Sequence, residues 1–563
     1  MSEKMSGNEY IARWIKANGG THLFYVPVLF PDVMKHMTAL GLTPCNVHSE
    51  KSAAYMADGY ARIARKPGYC GAQAIGGSNL AAGLREPLMA FSPVIAFSGG
   101  TSPELRYKAR YQDIDDIPTF ASLTKWTGVV ERVDRLPDML DQAYRRAMTG
   151  RPGPVHLQIP TFWGGMAVQE FDAVNPDDSS SQRVELSRSM PSPEALNAAV
   201  ERIREAKRPI IVVGAGVVQS GAKHVLQGFV LTTGIPFVAG TGAKAVAVDD
   251  SPLFAGVVGD YSQECANIAV AEADLIIFVG SNTGSMVTRN WTVPAANARV
   301  IQIDVDATHV GRNYPDTVPL IGDAGLSLRV LRDALGEITV DGGWQGRIKE
   351  LRAEYERHQA PIEASDAIPM RPERLCKEVS DALPEDGILV VDTGHAGGWL
   401  ARHLRFRHEE QEVIRAAGSL GWSFPASLGA KAAAPDRSVV CFTGDGGILY
   451  HMTELETALR YNLPTVTVIN NNSSLNQERF IWGEAPEHAH HWQFCDVDYA
   501  AIAKGFGAWG ARIDDPADLA DAIRAAIDSG RPAVIDARTD DRIVVPASWG
   551  PGAGGAYGDA GAN

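Results

Sequence analysis

Residues 444–474, GDGGILYHMTELETALRYNLPTVTVINNNSS, decide how the rest of the chain is read. The run SVVCFT just before them is short and apolar, and it delivers the chain to a Gly-Asp-Gly turn. Leu455, Leu459 and their apolar neighbours suit a helix, which Pro464 stops. A second β-rich run over 465–469 ends in Asn470, Asn471 and Asn472. This is a strand–helix–strand unit with both strand ends on one edge of a parallel sheet. Asp445 and Asn472 therefore converge outside the carboxyl ends of neighbouring strands, where open α/β sheets bind ligands. A carboxylate, an amide oxygen and a backbone carbonyl are hard oxygen ligands, suited to Mg²⁺ that also holds a diphosphate. Gly444 opens the turn, and Gly446 and Gly447 let backbone N–H groups approach phosphate oxygens at a helix start. The bland alternative is an ordinary crossover with a Gly-rich turn. A lone GDG would not exclude it; GDG followed at this spacing by paired asparagines, between two strands, is far more specific.

The pattern resembles the thiamine diphosphate motif of the enzyme family that includes acetolactate synthase, pyruvate decarboxylase and pyruvate oxidase. The resemblance implies Asp445, Asn472 and the carbonyl of Ser474 as metal ligands. Upstream, CNVHSEKSAAYMADGYARIARK ends a strand at Val47 and opens a helix at Ser49 or Glu50, with Ala53, Ala54, Ala57 and Ala61 on one small-residue face. A carboxylate at a helix start has a plain role in offsetting the helix dipole. Beside the later motif, however, this segment looks like the other half of a thiamine diphosphate site. The family's glutamate hydrogen-bonds the aminopyrimidine ring there, and Glu50 is the match. GYCGAQAIGGSNLAAGL resembles the family's Gly-rich turn, with Gly76, Gly77 and Asn79 in register. RYQDIDDIPTFASLTKW resembles a synthase segment in which Gln112 takes the place of a substrate-facing glutamine; a solvated loop residue is the alternative.

The resemblance extends over residues 8–545 and implies an α/β chain of three doubly wound parallel-sheet domains. The expected division is a pyrimidine-binding domain over 1–170, a polar, acidic linker over 171–190 and a Rossmann-like middle domain over 191–337. A charged connector over 338–365 leads to a diphosphate- and Mg-binding domain over 366–547, and a Gly/Ala-rich tail over 548–563 is expected to be loosely ordered. The first and third segments read as an internal duplication. In the third, ILVVDTGHAGGWL places Gly394 and His395 beside the diphosphate. AAGSLGWSFPASLGAKAA places Ser419 nearby and puts Leu420 where the family uses an apolar residue to hold the cofactor bent. In the middle segment Gly214, Gly216 and Gly221 give GxGxxxxG, which favours a tight strand–helix turn over a dinucleotide site. Flavin-binding synthases carry arginines where this chain has Asn282 and Met286, which counts against flavin adenine dinucleotide (FAD).

At 563 residues the chain is long enough for about three domains, and 45% hydrophobic with 21% charged residues suits a globular protein. The net charge of −15, with no basic block, argues against nucleic acid and anionic membrane as partners. Six scattered cysteines without zinc spacing read as core residues in a reducing compartment, and no run approaches a membrane span. A cytoplasmic protein is the expectation. In the family one subunit supplies the glutamate and another the metal site, so a homodimer is implied at least, and a homotetramer is expected.

The expected chemistry is thiamine diphosphate- and Mg²⁺-dependent making or breaking of a C–C bond next to the carbonyl of a small-molecule substrate such as a 2-oxo acid. Glu478 stands where the family's decarboxylases carry an active-site glutamate, so non-oxidative decarboxylation is the alternative. Beside Arg479 it would otherwise be a surface ion pair. A flavin-dependent oxidase and a regulatory subunit without turnover are further readings; intact Glu50, Asp445 and Asn472 oppose the last. His488, His490 and His491 suit a lid better than a metal site. Phe30, in a turn where related enzymes use an acid or a histidine, is expected to narrow the substrate pocket.

Overall fold

The structure is a computed structural model that describes residues 2–176, 188–336, 338, 340–483 and 485–550. Three six-stranded sheets follow one another along the chain, each with every neighbouring pair parallel. Their strands read as they do because helices cover both faces: Leu275–Val279 (LIIFV), Pro209–Val213 and Val94–Ser98 are buried at every position.

The first sheet is built from His22–Tyr25, Thr43–Asn46, Gly68–Ala72, Val94–Ser98, Trp126–Val129 and Val155–Gln158. Counted along the chain, their order across the sheet is 2-1-3-4-6-5. The third sheet uses Ile388–Val391, Glu412–Arg415, Val439–Gly444, Val466–Asn471, Trp509–Ile513 and Ala533–Arg538, again in the order 2-1-3-4-6-5. The duplication expected from the sequence is thus present at the level of topology. The middle sheet, from Pro209–Val213 to Thr317–Ile321, has the order 3-2-1-4-5-6 of dinucleotide-binding folds.

In each outer domain one helix follows the second strand: Glu50–Ala64 in the first and Ser423–Ala433 in the third. These two helices cross with small residues at the contact. A Cβ on Gly59 would lie 2.1 Å from the Ala426 carbonyl oxygen, and one on Gly429 would lie 1.9 Å from that of Met56. A continuous apolar core, including Phe24, Ala53, Ala57, Phe424, Leu428 and Ile469, joins the two domains around this crossing.

The middle and third domains meet through buried ions. Arg402 pairs with Glu264 and donates to the Ser262 carbonyl at 2.8 Å, while fully buried Lys244 donates to the carbonyls of Leu400 and Ala401. The expected connector is the helix Gly342–Glu363.

Two expectations are corrected at the ends of segments. The stretch expected to begin a linker at 171 instead continues the strand Glu170–Val174, which pairs antiparallel with Ser2–Ser6; residues 177–187 lie outside those described. The start of the tail is anchored: the Trp549 carbonyl accepts from Asn267 at 2.8 Å and Ser548 accepts from Arg289 at 3.1 Å, whereas 551–563 lie outside the described residues.

Candidate active site

The GDG turn lies at the carboxyl end of the third strand of the third sheet, beside the first strand, where the strand order reverses. Asp445 is 3% exposed, and its carboxylate accepts from the N–H groups of Gly446 at 2.7 Å and Ser474 at 3.0 Å. Burial pushes this carboxyl up to about 6 against the opposing pull of the N–H groups of Ser474, Gly446, Ser473 and Asn472.

The three asparagines that end the next strand divide their work. Asn470 accepts from the Thr539 hydroxyl at 2.5 Å, and Asn471 donates to Asp536 at 2.7 Å. Asn472 keeps a buried side-chain oxygen with no hydrogen-bond partner, beside the loop that touches Asp445. A buried carboxylate pushed toward its neutral form and an unpartnered amide oxygen are acceptors waiting for a cation, so this donor set fits a hard divalent metal.

The glycines have separate reasons. A Cβ on Gly447 would meet Thr443 Oγ1 at 2.7 Å, one on Gly446 would meet Leu475 Cδ2 at 2.6 Å, and one on Gly444 would project into open space. Two of the three are demanded by packing, and the third leaves the edge open to a ligand.

Asp392, absent from the sequence expectations, organises this edge. It is 1% exposed and accepts from the Thr393 N–H at 2.8 Å, the Gly421 N–H at 3.1 Å and the Ser423 hydroxyl at 2.6 Å. Burial raises its pKa against those donors. It thereby ties the turn carrying Gly394 and His395 to the loop carrying Leu420. Its sequence signal was an acid ending the apolar run ILVV. Leu420 is half-buried rather than a core residue, and at Gly421 beside it, at φ +84°, a Cβ would meet the Gly447 carbonyl at 2.9 Å. Burial lowers His395 to about 4, so its ring is neutral. Ser419 points its N–H away from this edge, to Glu86 of the first domain at 3.0 Å.

A second group forms on the first domain. Glu50 accepts from Asn79 Nδ2 at 2.6 Å, and a Cβ on Gly76 would lie 2.5 Å from its carboxylate, so glycine is needed there to admit Glu50. Gln112, at φ +59°, accepts from the Ile75 N–H at 3.0 Å, which ties it to the same turn. Among the described residues no hydrogen bond or ion pair joins the Glu50 group to the Asp445 group.

The described residues 475–483 and 485–494 lead away from and back to the Asp445 edge, closed at the base by the bonds Leu475 N–H to Trp492 O and Phe494 N–H to Ser473 O, each 2.7 Å. Glu478 lies in this segment, and among the described residues no hydrogen bond or ion pair engages its carboxylate. Arg479 turns to the Asp541 carbonyl at 3.0 Å. His491 stacks on Trp482 at 3.9 Å, with His488 and His490 nearby; among the described residues no three His, Cys, Asp or Glu side chains are arranged to hold a metal.

Phe30 departs from expectation. It is 1% exposed, packed edge-on against Phe97, and lies where a Cβ on Gly164 would be, so it fills the domain core. Val28, 43% exposed, is the side chain its turn offers to solvent. In the middle domain a Cβ on Gly214 would meet the Gly280 carbonyl at 2.2 Å, which makes this glycine a packing requirement, as the tight-turn reading expects.

Comparison with known proteins gives the family. Three family models match in order: the N-terminal thiamine pyrophosphate (TPP) binding domain over 5–119, the central domain over 196–331 and the C-terminal TPP binding domain over 392–537. The acetolactate synthase large subunit of Parasynechococcus marenigrum is 30% identical, covering 87% of this chain and 79% of that protein. The chain belongs to the thiamine pyrophosphate enzyme family. Within it, the chain is similar to acetolactate synthase large subunits. A probable one from Methanococcus aeolicus is 28% identical over 95% of this chain and 92% of its own length. The isozyme 2 large subunit of Escherichia coli is 28% identical over 95% and 96%. This is therefore a thiamine diphosphate-dependent, acetolactate synthase-like enzyme. Among its described residues no helix is long and apolar enough to cross a membrane.

Proposed function

We propose that this enzyme holds thiamine diphosphate through Mg²⁺ and joins or cleaves a C–C bond next to the carbonyl of a 2-oxo acid or related substrate. The observation that carries the metal assignment is the unpartnered, buried Asn472 oxygen beside Asp445. Asp445, Asn472 and the Ser474 carbonyl would hold the ion; the open space at Gly444 suits the diphosphate, whereas the Gly446 N–H, expected to face it, is taken by the Asp445 carboxylate. When bound, thiamine diphosphate supplies the nucleophilic carbon and the electron sink that such chemistry needs.

The chain's own part is protonation, orientation and exclusion of water. Glu50, held by Asn79 and admitted by Gly76, is placed to exchange a proton with a ring nitrogen. Leu420 presents an apolar surface to the cofactor edge, Gln112 orients substrate, and the segment that begins at Leu475 and returns at Phe494 covers the site. The likeness to the family carries the reading of a homodimer in which each cofactor lies between two subunits; among the described residues no hydrogen bond or ion pair joins the Glu50 and Asp445 groups of one chain. Carboligation follows from the overall likeness to acetolactate synthases. Decarboxylation is the second reading, favoured by one observation, the unengaged Glu478 carboxylate.

Proton NMR of the protein with thiamine diphosphate, Mg²⁺ and pyruvate tests this. Acetolactate or a mixed hydroxyketone with added aldehyde supports carboligation; free acetaldehyde alone supports decarboxylation. No consumption of pyruvate or of larger 2-oxo acids, with cofactor bound, would overturn the proposed reaction class.

A further inference from the structure

The helix Gly77–Ala90 carries Asn79, the partner of Glu50, and two turns later Glu86. Glu86 is fully buried, and its carboxylate crosses to the third domain. There it accepts from three successive backbone N–H groups: Ala417 in a very short bond, Gly418 at 3.2 Å and Ser419 at 3.0 Å. Two more first-domain residues grip the same loop on either side. Arg62, 3.4 Å from Glu86, donates to the Arg415 carbonyl at 2.6 Å and lies 4.4 Å above the Trp422 ring. Asp58 pairs with Arg62 at 2.6 Å and accepts from Trp422 Nε1 at 2.9 Å. The loop is thus held before, at and after residues 417–419, and between those anchors it presents the half-buried Leu420.

We propose that Glu86 is a positioning residue: its buried carboxylate fixes the 417–419 backbone so that Leu420 stands at the cofactor edge. The inference rests on the reading that Leu420 faces thiamine diphosphate. A loop with Gly418 and Gly421 has backbone freedom to lose, and its N–H groups would otherwise be satisfied by water. A carboxylate buried without its donors is unfavourable, so the Glu86 bonds and the loop conformation stand or fall together. Gly421 transmits the position: it donates to Asp392, and a Cβ there would meet the Gly447 carbonyl at 2.9 Å, so it has little room to shift and a displacement of 417–419 is felt at Leu420.

The test compares Glu86→Gln, which keeps shape and loses charge, with Glu86→Asp, which keeps charge and shortens the reach, and with Leu420→Ala. Amide hydrogen exchange is read first, in the protein without cofactor. Exchange at 417–419 rises about tenfold or more in Glu86→Gln, and less in Glu86→Asp. Unchanged protection in both would overturn the clamp. With thiamine diphosphate and Mg²⁺ bound, exchange of the thiazolium C2 proton is followed by NMR. Glu86→Gln and Leu420→Ala each slow it by about tenfold or more, and the double variant is no slower than Leu420→Ala alone. Additive slowing would overturn action through Leu420 and leave Glu86 a structural residue. Failure of the unaltered protein to bind the cofactor, measured by calorimetry, would instead overturn the underlying reading, while amide exchange still decides the clamp.

Discussion

Replacing Gly429 by alanine sets two physical effects of opposite sign against each other. Gly429 lies within the helix Ser423–Ala433, where alanine is favoured over glycine by about 1 kcal/mol. Its Cβ, however, would sit 1.9 Å from the Met56 carbonyl oxygen, and ordinary contact begins near 3.4 Å, so the crossing helices must part by about 1.5 Å. The neighbour is backbone, which cannot swing aside as a side chain would. Overpacking of this kind costs about 1–3 kcal/mol or more, and here it also loosens contacts around Ala53, Ala57 and Leu428. The expected result is net destabilisation of about 1–2 kcal/mol. Gly59→Ala, facing Ala426 at 2.1 Å, should behave the same way. The control is Gly228→Ala in the helix Lys223–Thr233, where nothing lies within 4 Å and propensity alone acts, giving a gain of about 0.5–1 kcal/mol. The assay is urea unfolding at one fixed protein concentration, since subunit association would move the midpoint. If Gly429→Ala and Gly228→Ala both raise the midpoint, the two helices are not in backbone contact and the reasoning fails.

Glu50→Gln should lower turnover by a factor of about 10²–10⁴ while calorimetry finds cofactor binding nearly unchanged; undiminished turnover would remove the proton-exchange role. Asn472→Ala should weaken Mg²⁺-dependent cofactor binding about tenfold or more, whereas Asn471→Ala, which leaves buried Asp536 only its Tyr499 N–H donor, should cost about 1–3 kcal/mol of stability; equal effects on metal binding would contradict the assignment. Burial lowers His156 to about 3, stacked on Phe120 and bonded to Thr127 and Ser98, so it stays neutral in the fold while the unfolded chain takes up a proton below its ordinary 6.5. That contribution is present above pH 6.5 and is lost as pH falls toward 3, about 2 kcal/mol of it by pH 5; a His156→Gln variant with the same melting-temperature slope between pH 7 and 5 would refute it.

Much of the fold was legible because its signals are local. The runs LIIFV and PIIVV need only their own residues to be read as buried strands, and Pro464 and the GDG turn bound the elements beside the Asp445 edge. Glu50 and Asp445 could be found for the same reason, each standing at a strand–helix turn whose small residues mark it. What stayed hidden depends on partners far away in the chain. Phe30 reads as a pocket residue until Phe97 and Gly164 are seen around it. Glu86, which carries no motif of its own, has its donors more than 330 residues later. The strand Glu170–Val174 looks polar because its alternating exposed positions face solvent, and only Ser2–Ser6 identifies its partner.

The shared strand order of the outer sheets explains why two such different half-sites arise on similar frames. Glu50 opens the helix after the second strand of the first sheet, and Leu420 ends the loop before the helix after the second strand of the third. The turn at Gly76 follows the third strand of the first sheet, as Asp445 follows the third strand of the third. Equivalent positions thus carry a carboxylate in one domain and the apolar Leu420 in the other, a crowded glycine in one and the buried Asp445, the proposed metal ligand, in the other. The helices after the second strands cross reciprocally, Met56 against Gly429 and Gly59 against Ala426, so each domain meets the other through the same element. A ligand too large for either edge then needs both kinds of edge at once. The proposed dimer is what would bring the Glu50 of one chain to the Asp445 of the other. Under that arrangement Glu86 gains a second meaning: its helix begins at the Glu50 of one cofactor site and ends on the Leu420 loop of the other.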